Sequence, residues 1–424
     1  MRENSARAQT GGETALSRDG GRLFLTRIAR LFAYGFVSVV LVLYLVAAGL
    51  SEARVGLLLT LTLLGDTAIS LFLTTGADRF GRRRTLIAGA GLMVLAGAAF
   101  AVTGNFLLLL AAATVGVISP SGNEVGPFLA VEQAALSEVV RDHERTRVFA
   151  WYNLAGSFAT ALGSLAAGAL SEGLQGAGAT ALGSYRAVVV GYAAFGVVLS
   201  LLFAGLSPAV EARPAAVGGA AARLFGLHRS RRVVAKLAGL FSLDAFAGGF
   251  VVQSIVAYWF HLRFGASPAL LGGIFFGANL LAGFSALAAA RIAQRIGLVN
   301  TMVFTHLPSN VLLLLVPLMP TLPLAIAVLL LRFSISQMDV PTRQSYTMAV
   351  VSPDERSAAA GITGVARTTG AGLSPALAGP LLASPGLMGV PFFLAGGLKI
   401  VYDLLLWRSF RHLGEGAAGG DGGA

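Results

Sequence analysis

Twelve apolar runs, each long enough to cross a lipid bilayer, follow one another almost from end to end of this chain. A helix needs about 20 predominantly apolar residues to traverse the roughly 30 Å hydrocarbon layer. Within that layer no water satisfies backbone polar groups, so each run must close its hydrogen bonds internally, as a helix does. Composition agrees: 55% of the residues are hydrophobic and 12% are charged, whereas a soluble domain is about a quarter charged. The chain reads as an all-α integral membrane protein with the lipid bilayer as its solvent.

The runs fall at 22–49, 54–75, 85–103, 106–136, 147–170 and 184–207, and then at 233–262, 268–290, 298–317, 322–350, 357–383 and 388–408. The polar, arginine-rich stretch between the two sets predicts a tail (1–21), a six-helix bundle (22–207), a linker (208–232), a second six-helix bundle (233–408) and a second tail (409–424). With the N-terminus in the cytoplasm, 24 of the 31 Lys and Arg residues lie on the cytoplasmic side. Only Arg54, Arg186 and Arg263 lie opposite, while Arg332, Arg343, Arg367 and Lys399 fall inside spans. The positive-inside rule therefore places both termini and the linker in the cytoplasm. The net charge of +11 is spread over span ends rather than gathered into one basic stripe, so it predicts topology and no nucleic acid. Cysteine is absent, which removes disulfides and thiolate metal sites. No metal or cofactor is expected. The polar N-terminal tail lacks the apolar core and cleavage site of a secretory signal, so the first span is expected to direct insertion. Two lysines among 31 basic residues fit a GC-rich genome, and the expected location is the cell inner (plasma) membrane.

An offset of about 211 to 216 residues aligns the chain with itself. Gly35, Phe36 and Tyr44 land on Gly249, Phe250 and Tyr258; Arg79, Gly81 and Thr85 land on Arg295, Gly297 and Thr301. Glu132-Gln133 lands on Arg343-Gln344, and Glu144-Arg145 on Glu355-Arg356. Such a nearly constant offset is what two homologous six-helix halves produce.

The segment Asp78-Arg79-Phe80-Gly81-Arg82-Arg83 between the second and third spans resembles the signature loop of the major facilitator superfamily, Gly-x-x-x-Asp-Arg-x-Gly-Arg-Arg. Gly81 permits a tight turn, and the arginines suit water and anionic headgroups. The resemblance implies a cytoplasmic gating loop in which Asp78 and Arg82 latch the two halves, against a helix beginning near Ser357. It also implies two pseudo-symmetric bundles that rock around a central site. Thr74 stands where the pattern has its leading glycine. The fourth span carries Glu132 where many members carry arginine, and the fifth lacks the Gly-Pro signature of the drug-antiporter branch.

A charge in mid-bilayer costs about 2.5–3.5 kcal/mol on insertion scales, so ionisable residues inside spans are the default site candidates. Glu132 and Gln133 in the fourth span, with Asp339, Arg343 and Gln344 in the tenth, form the richest set. Glu132 and Arg343 are read in two ways: a pair gripping a solute across a central cavity, or an inner gate near the cytoplasmic face. Arg30 aligns with Asp244, and Asp66 and Arg367 add one charge of each sign. Tyr34 and Phe246 are the favoured aromatic cavity residues, lying beside charged or glycine-rich turns of the first and seventh spans. Gln253, Asn279, Asn153 and His306 are weaker candidates, because a lone polar residue in a span usually bonds a neighbouring helix. Pro120, Gly122, Gly126, Pro127 and Pro341 are expected to bend the fourth and tenth spans.

No Gly-x-x-x-x-Gly-Lys-Ser/Thr loop, His-Glu-x-x-His or nucleophile elbow is present, so a primary pump or hydrolase has no support. The expected function is secondary transport of a small-molecule solute, in the form of efflux coupled to a proton, by a monomer. The alternatives are uptake or facilitated diffusion of a metabolite, and a solute sensor that keeps the transporter fold without transporting.

Overall fold

The computed structural model describes residues 18–141, 144–211, 227–352 and 355–410. The greater part of both expected tails and of the expected linker lies outside the described residues, as do the side chains of Asp78 and Ser357. Eight spans are unbroken helices: α1 (Arg18–Ala47), α2 (Glu52–Phe80), α3 (Arg82–Val102), α6 (Arg145–Gly176), α7 (Ala181–Ala204), α10 (Pro268–Ile296), α11 (Leu298–Leu315) and α16 (Val390–Phe410). Four are interrupted: α4/α5 (Phe106–Val115, Phe128–Val139), α8/α9 (Arg231–Gly249, Gln253–Phe264), α12/α13 (Leu322–Phe333, Asp339–Ala349) and α14/α15 (Arg356–Leu373, Pro375–Leu382). Together the described residues form twelve spans in two pseudo-symmetric six-helix bundles.

In the fourth span the interruption sits where backbone bonding fails. Pro120 and Pro127 bring no N–H, and Gly122 and Gly126 take φ of +71° and +78°, which a helix cannot accommodate. The fourth span, read in the sequence as one bent run, is therefore opened into a connection of residues 116–127 between α4 and α5. Pro341 bends nothing, because it falls in the first turn of α13, where its missing donor has no intrahelical partner to lose. The tenth span breaks before it, at residues 334–338.

The duplication is visible in the turns. Gly49 and Gly265 end spans one and seven with φ of +94° and +65°, and Gly81 and Gly297 link spans two to three and eight to nine with φ of +97° and +83°. Helix crossings repeat as well. A Cβ on Gly35 would lie 2.1 Å from Thr160 O, and one on Gly249 would lie 2.3 Å from Ala371 O. Close α1–α6 packing in the first half thus has its counterpart in α8–α14 of the second.

The halves meet through two further glycine pairs. Gly56 approaches Gly379 where α2 meets α15, and Gly168 approaches Gly272 where α6 meets α10; a Cβ on Gly56 or Gly168 would lie 2.4 Å from a backbone carbonyl of the opposite half. Both seams lie toward the end of the bundle that carries residues 48–51 and 265–267, here called the distal end. The opposite, linker end carries the Gly81 turn and residues 205–211.

Candidate functional site between the halves

A cavity of about 540 Å³ lies between the two bundles, within the size range of small-molecule sites. Hydrogen bonds between the halves roof it on the distal side. Gln253 Nε2 donates to Ser38 Oγ (2.8 Å) and Ser164 Oγ (3.2 Å), and Asn279 Nδ2, which also holds Gln253 Oε1 within its own half (3.1 Å), reaches Ser164 Oγ at 3.5 Å. Ser254 N donates to Pro120 O (3.1 Å), and Tyr258 donates to Glu52 (2.8 Å). A separate void of about 10 Å³ beside Gly56 and Gly379 is room for a water at most.

The wall from the first half is built on the opened fourth span. Glu124, in the 116–127 connection, is ion-paired with Arg27 and lies 3.1 Å from Arg30 Nη2. Arg30 Nη1 meets Glu132 Oε1 at 2.7 Å, with both side chains fully buried behind that wall. Thr26 Oγ1 (2.7 Å) and the Tyr152 hydroxyl also donate to Glu132. Two acids therefore balance two arginines. The neutral Asn123, Asn153, Ser157 and Thr160 complete this face.

The facing wall is centred on Asp244 of α8. Its carboxylate takes Lys399 Nζ at 2.5 Å and Arg343 Nη1 at 3.2 Å, and Arg343 also meets Asp339 at 2.9 Å. His306 bridges from 3.9 Å at Asp244 to 2.8 Å at Asp403, whose other oxygen accepts from Asn310 (2.9 Å). Arg332 and Arg367 border the same cavity, and among the described residues neither has an ion-pair partner.

Glu132 and Arg343, paired in the sequence by the repeat, each find a partner inside their own half. Arg30–Glu132 in one bundle and Asp244–Arg343 in the other occupy equivalent positions with the signs exchanged. Of the residues singled out in the sequence, Asp244, Asp339, Arg343 and Arg367 line the cavity, and so do the weaker candidates Asn153, Gln253, Asn279 and His306. Tyr34 does not: its hydroxyl donates to Val125 O (3.1 Å) and its ring stacks on Tyr192. Asp66 likewise holds the fourth-span connection, accepting from Gly126 N at 2.6 Å. Phe246 packs edge-on to Phe250, Gln133 is half-buried and Gln344 is exposed. Glu124 stands among prolines and glycines and gives no signal in the sequence, and Arg27 and Lys399 give there only their charge. The signal for Lys399 was present, since it is one of only two lysines and lies inside a span.

At the linker end, Gly81 turns the chain so that Arg82 N (2.6 Å) and Arg83 N (3.3 Å) donate to Glu211. Arg82 also reaches Ala134 O and Val210 O (both 3.3 Å) and Glu138 (3.5 Å), whereas Arg79 is exposed. These described contacts join elements of the first half. Glu355, ahead of α14, makes a related clasp in the second half by accepting from the backbone N–H groups of His228, Arg229 (2.8 Å) and Ser230 (2.8 Å) at the start of α8. Burial acts to raise the Glu355 carboxyl, but these hydrogen bonds outweigh it and hold it at about 2.

The sequence model of the Major Facilitator Superfamily matches residues 23–375. An uncharacterized membrane protein of Saccharomyces cerevisiae is 32% identical over 419 residues, covering 92% of this chain and 93% of that protein. The crystal structure of nucleoside transporter NupG is similar in fold, with TM-score 0.71 and 14% identity over 92% of this chain and 98% of that one. A D-xylose-proton symporter follows at TM-score 0.70 and 16% identity, covering 91% and 96%. A bacterial homologue of the human lysosomal transporter Spinster, in an inward-facing and occupied conformation, has TM-score 0.68 and 16% identity, covering 93% and 95%. Twelve spans in two repeated bundles, a central charged cavity and these matches lead to one conclusion: the chain belongs to the major facilitator superfamily, a multi-pass membrane transporter of small solutes.

Proposed function

We propose that this transporter exports a small organic solute from the cell by alternating access, in exchange for protons. The observation that carries the reading is Asp244, a carboxylate on the cavity wall shared by Lys399 and Arg343 and approached by His306. A proton arriving at Asp244 would weaken its hold on both cations. Solute and proton would then act on one charged cluster, so that the movement of one is coupled to the movement of the other. Asp339 supplies Arg343 with a second acid, so the cluster can rearrange without stranding a buried charge.

The positive-inside distribution supports a cytoplasmic linker end and a plasma-membrane location. With that orientation, the distal roof and glycine seams describe a cavity closed to the outside, ready to load from the cytoplasm. In the opposite state the Asp78–Arg83 turn would take up its latching role. The cavity is built from one chain, which supports a monomeric working unit.

The test uses proteoliposomes of purified protein with a pH-sensitive dye inside. Addition of a transported solute should drive proton movement in the wild type, and D244N should uncouple solute flux from proton flux. Undiminished coupling in D244N and D339N alike would refute the assignment. Solute flux with no proton movement would instead favour facilitated diffusion.

A further inference from the structure

The charges facing the cavity do not cancel. On the wall of the first half, Arg27 is neutralised by Glu124, and Arg30 behind it by Glu132. On the other wall Asp244 and Asp339 are already taken by Lys399 and Arg343. Arg332, at the end of α12, and Arg367, on α14, remain. Each borders the cavity with a buried Nε that finds no acceptor, and neither has an acid within ion-pair distance among the described residues. A buried donor without an acceptor is costly, and inside a membrane a cation without a counter-charge is more so. Two such guanidinium groups, held by two different spans on one wall, form a site short of negative charge.

We propose that the solute is an organic anion whose carboxylate, phosphate or sulfonate oxygens dock on Arg332 and Arg367. Guanidinium groups suit this chemistry because their planar N–H forks meet oxyanions in pairs. The anion supplies the two absent counter-charges, and its Nε contacts occupy the open donors. The rest of the solute lies toward the opposite wall, where Asn123, Asn153, Ser157 and Thr160 offer neutral hydrogen-bonding groups. A cation at the same place would face two unneutralised arginines. A neutral sugar would leave the excess charge where it is.

This inference deepens the transport reading and rests on it. The experiment compares size-matched anions, neutral amides and amines in two formats, with benzoate, phenyl phosphate and benzenesulfonate against benzamide and benzylamine, and glutarate against glutaramide and 1,5-diaminopentane. Thermal protection of the purified protein reports binding, and flux into proteoliposomes reports transport. Protection and flux confined to anions, with apparent affinity falling about tenfold or more in R332Q and R367Q, are expected. The three aromatic anions distinguish which oxyanion is preferred. R332K and R367K keep the charge and lose the fork; partial retention of binding in these variants, with melting temperatures near wild type, separates recognition from misfolding. Amides or amines that protect and are transported as well as the anions, with the arginine variants unaffected, would overturn the inference and leave the transport reading standing. No flux in any class, with none of the compounds protecting, would remove both.

Discussion

Glu132 and Arg30 are both fully buried and ion-paired at 2.7 Å, with Glu124 a second partner of Arg30 at 3.1 Å, so removing either member of the pair leaves a charge in a low-dielectric interior without its principal counter-charge. E132Q or R30Q should each destabilise by about 3–5 kcal/mol, and the double variant should recover most of that loss. Denaturation in detergent checks this; additive losses would show that the two residues do not act as a pair. Glu355 supplies a pH-dependent case. Its carboxyl is held at about 2 in the folded protein, below the ordinary value near 4.3. Its stabilisation is therefore fully present above the unfolded value and is lost as pH falls through the folded one. E355Q should melt below wild type at pH 6, with the gap narrowing below about pH 4; a gap constant from pH 6 to 2.5 would contradict the clasp. Ionisable residues in apolar runs stood out in the sequence because each must justify its cost. What they touch did not, since Arg30 reaches Glu132 at a sequence separation of 102 and Asp244 reaches Lys399 at one of 155. Glu124 was invisible as a partner for a different reason: a proline- and glycine-rich stretch read as a bent helix hides which side chains its opening turns inward.

Among the elements, glycine has two roles that a single substitution distinguishes. Gly163 lets α6 lie against α1 inside one bundle, where a Cβ would come 2.0 Å from Phe32 O. Gly168, under two turns further along α6, instead faces Pro268 O and Gly272 of the other bundle. G163V should cost about 1–3 kcal/mol of stability through overpacking in every state of the protein. G168V wedges only the seam that must part during transport, so the molecule can escape the clash by opening its distal end. The variant should remain folded while its cavity becomes reachable from the distal side. Labelling of a cysteine at Ser157 by an impermeant maleimide checks this, because the chain contains no other cysteine. Equal labelling with and without G168V would contradict the division of roles. Nothing in the sequence tells Gly163 from Gly168, because the helix that each one meets depends on its position around α6. The bends of the fourth span were foreseen from Pro120 and Pro127, whereas the length of the opened connection depends on anchors such as Asp66 to Gly126, which only the folded chain displays.

At the scale of the whole molecule, fold was far more legible than site. Apolar run length, the polar stretch in the middle and the offset near 214 residues are one-dimensional signals, and each maps directly onto spans, halves and symmetry. Charge pairing, roof contacts and the position of the two open arginines depend on how helices rotate against one another, which hydropathy does not encode. The central claim is that the two bundles rock about the charged cavity, closing one end as the other opens. Pulsed electron spin distance measurements test it in lipid nanodiscs. One labelled cysteine pair replaces the exposed Ala177 and Leu387 at the distal end, and a second pair replaces the exposed Arg147 and Arg356 at the linker end. Rocking predicts two populations at each end that exchange weight in opposite directions when solute or pH changes. A single unchanging distance at both ends, under conditions in which the same protein transports solute, would contradict it.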